Sequence, residues 1–409
     1  YIWDDPNARL TKLIQSVLNR NMRLAFRIVV DGRDQGQNTP LYVFEAGAKW
    51  YSDPNSGKET VRKSPYPDDP VFQEKYTTFI EAFAKKFNNP DIVDFIDGYG
   101  LGKWGEAHSM VYENYSNKAK VFDWVTSLYA RCFDRIPLLI NYHRLVAANN
   151  VTGWGEVAPD TDYLLQSAIN KGYSLRHDAF GMNGYYQDWE KEYAARWNYK
   201  RPIIMEGGWI TGGTHRYWID PSGEYRQGHP EDVRQGEFNA SAEAHVNMMD
   251  FRIGDETNSW FTKSFSLVKR FIAEGGYRLY PDRISLPVKV NTGQEIVIEH
   301  RWNNLGWGYC PTNIPQWNQK YKVAFALLDS KNSVMRIYVD KQTDLSRWLK
   351  GTPTSYKFNL KLEGAPTGNY SWAVGLVDVT KKNNIGLQMA VSEGLLESGW
   401  VKLLPVTIR

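Results

Sequence analysis

Two hydrophobic rhythms divide the chain. Before residue 282, short continuous apolar runs alternate with stretches whose apolar positions recur every three to four residues. Residues 24–30, 92–96, 137–142, 178–185, 202–205 and 250–253 read as buried strands. Residues 72–87 read as an amphipathic helix, because Phe79, Phe83 and Phe87 fall four apart. Residues 10–18, 121–133, 240–248 and 266–274 read as further helices. Strands separated by helices predict an α/β fold with a parallel sheet, either a barrel or a doubly wound sheet. No GxGxxG follows a first strand and no GxxxxGK[ST] occurs, so nucleotide-binding folds lose support.

From residue 285 the rhythm changes to alternation. Residues 287–290, 295–300, 321–328, 334–339, 355–362, 370–377 and 400–408 read as short strands. Turn residues such as Asn291-Thr292-Gly293 separate them, which is the signature of a β-sandwich. The pattern therefore predicts a barrel-type domain over residues 1–281 and an immunoglobulin-like sandwich over 282–409. Residues 31–69 form a loop too long for an ordinary connection, and they carry Tyr42, Phe44, Trp50 and Tyr51, which favours a functional loop.

Composition narrows the function. Lys+Arg (49) nearly balance Asp+Glu (46), so nothing favours a nucleic-acid partner. No apolar run reaches the ~20 residues that would span a bilayer. The two cysteines, Cys132 and Cys310, fit no metal-binding spacing. The unusual figure is 14% aromatic residues, more than a core requires, which suggests a surface that stacks on flat apolar faces.

In an α/β barrel, chemistry sits at the carboxyl ends of the strands. Two glutamates stand out there. Glu106 lies in the glycine-rich run GYGLGKWGEAH (98–108), and Glu206 lies in MEGGW (205–209) directly after an apolar strand. A pair of carboxylates is what glycoside hydrolysis needs: one protonates the leaving oxygen, the other attacks or activates water. Arg27, Asp31, Trp104, His108, Asn141, His143, Asn183, Tyr185, Trp209 and Trp260 fall near the same strand ends and are candidates for binding a carbohydrate substrate. Tyr99, Tyr142 and Tyr186 would join the tryptophans around the rim of the pocket. An acidic sugar would want a cation there, with Arg27, Lys103 and Arg144 available. No cofactor or metal is expected. Two other readings stay open: a glycan-binding protein without turnover, and a metal-dependent hydrolase built on His108, His143 and Asp31 or Asp97.

The RIVV strand (27–30), the Pro40–Ala48 stretch (PLYVFEAGA), the GxWGE-x-H run, MEGGW and the later Val374-Gly-Leu-Val-Asp and Gly399-Trp resemble, in that order, the bacterial proteins described as domain-of-unknown-function 4832, themselves similar to clan A and family 42-like glycoside hydrolases. The resemblance implies a (β/α)8 barrel with Glu106 as acid/base after the fourth strand and Glu206 as nucleophile after the seventh. It implies that the first two strands lie ahead of Tyr1, and it implies secretion to the periplasm or cell surface. One departure stands out. Clan A enzymes place Asn before the acid/base to bind a sugar hydroxyl, and this chain has Gly105.

Overall fold

The computed structural model describes residues 1–32, 36–52, 62–150, 153, 155–182, 184–211 and 225–409. The chain divides into two compact units. One comprises residues 1–178 and 186–196, the other residues 179–185 and 197–409.

The first unit contains α1 (Arg9–Leu18), β1 (Leu24–Arg27), α2 (Leu41–Glu45), β2 (Trp50–Ser52), β3 (Lys63–Pro65), α3 (Pro70–Phe87), β4 (Val93–Asp97), α4 (Lys118–Cys132), β5 (Leu138–Asn141), α5 (Thr161–Asn170), β6 (Tyr173–His177) and most of α6 (Asp188–Trp197). Strands β1, β4, β5 and β6 lie side by side in that order, all parallel. Helix α3 shows why the sequence folds this way. Pro70 opens the helix, where a missing N–H costs nothing, and the Asp69 carboxylate caps it by accepting from Phe72 N–H at 2.8 Å. Phe72, Tyr76, Ile80, Phe83 and Phe87 then recur on one buried face. Phe83 and Phe87 pack on Phe26 of β1, with ring centroids 5.1 and 4.8 Å apart.

The register of this sheet places the chemistry. Arg27 pairs with Asp97, and Asn141 with Arg176. Arg27, Asp97 and Asn141 are the last residues of their strands, and Arg176 is one from the end of β6. Four neighbouring parallel strands thus end on a polar or charged side chain.

One expected strand moves. Residues 178–185 form no strand, and β6 lies just before them at Tyr173–His177. Its sequence, Tyr-Ser-Leu-Arg-His, is too polar to read as buried, yet all five residues are buried. The structure tolerates this because Arg176 Nε meets Asp97 Oδ2 at 3.0 Å.

The second unit begins with β7 (Ile203–Glu206), crosses through α7 (Pro230–Glu243) to the parallel strand β8 (Met248–Asp250), and continues through α8 (Asp255–Lys263) and α9 (Phe265–Glu274). Among the described residues the parallel strands number six, four in one unit and two in the other, with Tyr173–His177 in place of the strand expected at 178–185. Helix α7 lies upstream of the helix expected at 240–248. Its buried face includes Arg234, Glu237 and Ser241, so its apolar rhythm is faint.

The rest of this unit is antiparallel. One sheet has the order β14 (Thr354–Lys361), β11 (Glu295–Asn304), β9 (Leu279–Ser285). The other runs β10 (Lys289–Val290), β18 (Trp400–Ile408), β15 (Gly368–Asp378), β12 (Tyr321–Leu328), β13 (Val334–Asp340), with β16 (Asn384–Leu387) beside β15 and β17 (Leu396–Glu397) beside β18. Both sheets contribute to one core, which includes Ile298 and Trp302 from β11 and Phe325 and Val374 from β12 and β15. Strand β12 alternates strictly: Val323, Phe325 and Leu327 enter that core, while Ala324, Ala326 and Leu328 pack with Trp400 on the opposite face. This is sandwich packing. Among the described residues, no helix is long and apolar enough to cross a membrane.

Candidate active site

Glu106 is buried at the carboxyl end of the four-stranded sheet and held at three points. Arg27 Nη1 donates to Oε1 at 3.1 Å, and His108 Nε2 lies 3.1 Å from Oε2. Asn141 Nδ2 donates to its backbone carbonyl at 2.9 Å. Arg27 Nε also donates to Asp97 Oδ2 at 2.6 Å, and Arg176 bridges the same two carboxylates, at 3.0 Å from Asp97 and 3.7 Å from Glu106. Two guanidiniums and two carboxylates thus meet in one layer at the strand ends. Arg176 is absent from the residues expected to bind, and Asp97 enters them only as a possible metal ligand. Their signal was the recurrence of a polar residue at each strand end.

The loop carrying Glu106 is bent against ordinary preference. Trp104, Ala107 and Ser109 all have positive φ (55°, 62° and 52°), a conformation that costs roughly 1 kcal/mol or more for such residues. Gly105 explains its own departure from the clan A pattern. Its φ is +74°, and a Cβ there would lie 2.6 Å from the Ile28 carbonyl oxygen. A side chain at 105 has no room on this backbone, so Asn is excluded by packing.

Behind Glu106 stands a row of fully buried imidazoles. The rings of His108 and His143 lie 5.2 Å apart, and those of His143 and His177 lie 5.4 Å apart and nearly parallel. Burial pushes His177 down to about 4, against the opposing pull of the Glu190 carboxylate and the Asp178 carbonyl. His177 is therefore neutral at pH 7. His143, His177 and Glu190 offer ligand atoms within 4.8 Å of one another. The donor set does not suit a cation. Glu190 Oε1 already accepts from Arg144 Nη1 (2.9 Å) and Arg144 N–H (3.1 Å), and His143 Nδ1 accepts from Leu145 N–H (3.0 Å), which leaves the proton on Nε2. A metal would also sit beside the Arg144 guanidinium.

The cations considered for an acidic sugar are committed. Arg27 holds Asp97 and Glu106, Arg144 holds Glu190, and Lys103 Nζ holds Asp31 Oδ2 at 2.8 Å. Asp31 is buried and also accepts from the Tyr51 hydroxyl at 2.6 Å.

In the second unit, Glu206 ends β7 as a buried residue. Arg252 Nη1 donates to its Oε1, and Arg252 Nε donates to the Gly207 carbonyl. Trp209 is 47% exposed, with the Arg252 guanidinium 5.0 Å from its ring centre. Trp260 is fully buried between the Arg234 guanidinium and Phe251. Tyr185 is buried in a small cluster with Met182, Ile210 and Tyr225. Asn183 lies outside the described residues. Of the aromatic rim expected from sequence, only Trp209 is well exposed and Trp104 is half-buried, while Tyr99, Tyr142 and Tyr186 are buried.

No family model and no curated protein matches the chain, so the resemblance to domain-of-unknown-function 4832 gains no support there. Among solved structures the chain is similar to the endo-beta-1,4-mannanase from Thermotoga petrophila, with 10% identity over 99% of this chain and 84% of that one and a TM-score of 0.38. It is similar to the tri-modular endo-beta-1,4-glucanase B from Bacillus halodurans, with 12% identity over 99% and 66% and a TM-score of 0.35. It is also similar to endo-glycoceramidase II from Rhodococcus sp., with 11% identity over 82% and 81% and a TM-score of 0.34. Likeness at this level carries no argument.

Proposed function

We propose that the protein is a glycoside hydrolase on a (β/α)8-type barrel spanning residues 1–281 with a sandwich at 282–409. Glu106 is its acid/base and Glu206 its nucleophile. The observation that carries this reading is the hold on Glu106. A buried carboxylate at the carboxyl ends of parallel strands is fixed through both oxygens and its own carbonyl, on a loop bent at several residues. Such investment in orienting one carboxyl group suits proton transfer at a fixed point.

In this mechanism Glu106 gives its proton to the glycosidic oxygen as Glu206 attacks the anomeric carbon. The C–O bond to the leaving sugar breaks, and a glycosyl ester forms on Glu206. Glu106, now ionised, takes a proton from water, whose oxygen attacks the same carbon and releases Glu206. The roles ask for different environments. A nucleophile must present a fixed carboxylate oxygen, and Arg252 Nη1 holds Oε1 of Glu206. An acid must hold a proton, which the burial of Glu106 favours and Arg27 opposes.

That opposition favours a second reading, a glycan-binding protein without turnover. A panel of plant, host and microbial glycans separates the two. Release of new reducing ends, with retention of the anomeric configuration, supports the hydrolase. Binding without release supports the alternative.

A further inference from the structure

Three buried side chains that the proposed reaction does not use face the segment after Glu206. Arg234 on α7 is fully buried. Its Nη1 donates to Glu237 Oε2 at 2.8 Å, and its Nη2 donates to Glu256 Oε2. The other carboxylate oxygens turn to the backbone. Glu237 Oε1 accepts from Gly208 N–H at 2.6 Å. Glu256 Oε1 accepts from Ile210 N–H (2.8 Å), Thr211 N–H (2.9 Å) and the Thr211 hydroxyl (2.8 Å). Gly208 is pinned from the other side as well, since a Cβ there would lie 1.8 Å from Met182 Sδ. Ile210 is fully buried. Between these fixed points Trp209 turns outward, and Arg252 covers one side of its ring while donating to Glu206.

A buried ion cluster contributes little net stability, because desolvation offsets the attraction. What it does supply is geometry: the N–H groups of Gly208, Ile210 and Thr211 and the Thr211 hydroxyl are held on either side of Trp209. We propose that Arg234, Glu237 and Glu256 are positioning residues. They mount Trp209 as a rigid platform three residues beyond Glu206, for stacking on the apolar face of a pyranose ring. A platform ordered in advance spares the ligand the entropy of ordering it. The inference rests on reading Glu206 as part of a glycan site.

The test uses the full chain with Glu256→Gln, Trp209→Ala and the double variant. Amide hydrogen exchange over residues 207–211 reads the clamp without any ligand. Titration with neutral cello-, manno-, xylo- and malto-hexaose reads the platform. The expected results are exchange at least ten-fold faster in Glu256→Gln, Kd for the preferred hexaose raised roughly ten-fold in each single variant, and no further rise in the double. Unchanged exchange would overturn the clamp. Additive losses would overturn its action through Trp209. If no hexaose binds the wild type while exchange still quickens in Glu256→Gln, the platform is overturned and the glycan reading of Glu206 fails with it. Should Glu256→Gln not fold, Thr211→Val removes one bond to Glu256 and should give a smaller effect in the same direction. No effect there overturns the proposal.

Discussion

The Arg27 guanidinium joins two carboxylates, with Nη1 3.1 Å from Glu106 Oε1 and Nε 2.6 Å from Asp97 Oδ2. Its removal has two consequences that separate. Leaving Asp97 and Glu106 short of a partner in a buried layer should lower stability by about 3 kcal/mol in Arg27→Met. Removing a positive charge also makes the Glu106 proton harder to lose. The high-pH limb of the rate profile, where the general acid loses its proton, should therefore move to higher pH, which a kcat/KM profile would show.

Gly105→Asn introduces the residue that clan A enzymes carry before their own acid/base. The structure predicts harm, because the new Cβ meets the Ile28 carbonyl at 2.6 Å and φ is +74°. A loss of about 1–3 kcal/mol in chemical denaturation is expected, with no gain in turnover. Equal stability would mean that the loop relaxes easily and that Gly105 is not required by packing.

His177 gives the fold a dependence on acid. Its folded-state value of about 4 lies below the ~6.5 of an exposed imidazole, so the unfolded chain binds the extra proton between those values. The contribution is fully present above pH 6.5 and is lost as pH falls toward 4, by up to about 3 kcal/mol. Glu190, Arg144, His108, Tyr142 and Tyr186 face this ring, and the shift already reflects the charges on the first three. Denaturation curves at pH 7, 5.5 and 4 should show the fall. In His177→Asn, which keeps a donor for the Asp178 carbonyl and does not titrate, the slope over that window should flatten.

Phe83 tests the packing that holds β1 in place. It contacts Trp3, Phe26 and Phe87 with ring centroids 4.4–5.4 Å apart, and it is almost fully buried. Phe83→Ala should cost about 3–5 kcal/mol. A loss under 1 kcal/mol would place the core of the first unit elsewhere.

Much of this molecule was legible where side-chain rhythm and burial agree. The Phe79, Phe83, Phe87 spacing gave α3, and the alternation from residue 285 gave the sandwich strands. Legibility failed where polar groups are buried in pairs. Tyr173–His177 hides a strand because Arg176 is satisfied by Asp97, a partner 79 positions away that no local window sees. Helix α7 blurs for the same reason, since Arg234 finds Glu256 across another helix. Strand ends pointed to Glu106, Glu206 and Arg27, but not to Arg176 or Arg252, which also hold these carboxylates. Aromatic content suggested an open rim, whereas Tyr142 and Trp260 are interior residues.

The central claim is that Glu106 and Glu206 carry the chemistry. Its most direct test is turnover by Glu106→Gln and Glu206→Gln on a glycan that the wild type hydrolyses, with circular dichroism confirming the fold. Each substitution keeps size and hydrogen-bonding reach while removing the acid or the nucleophile. The account predicts a fall of about a thousand-fold in kcat for each. Wild-type turnover in either variant would contradict it.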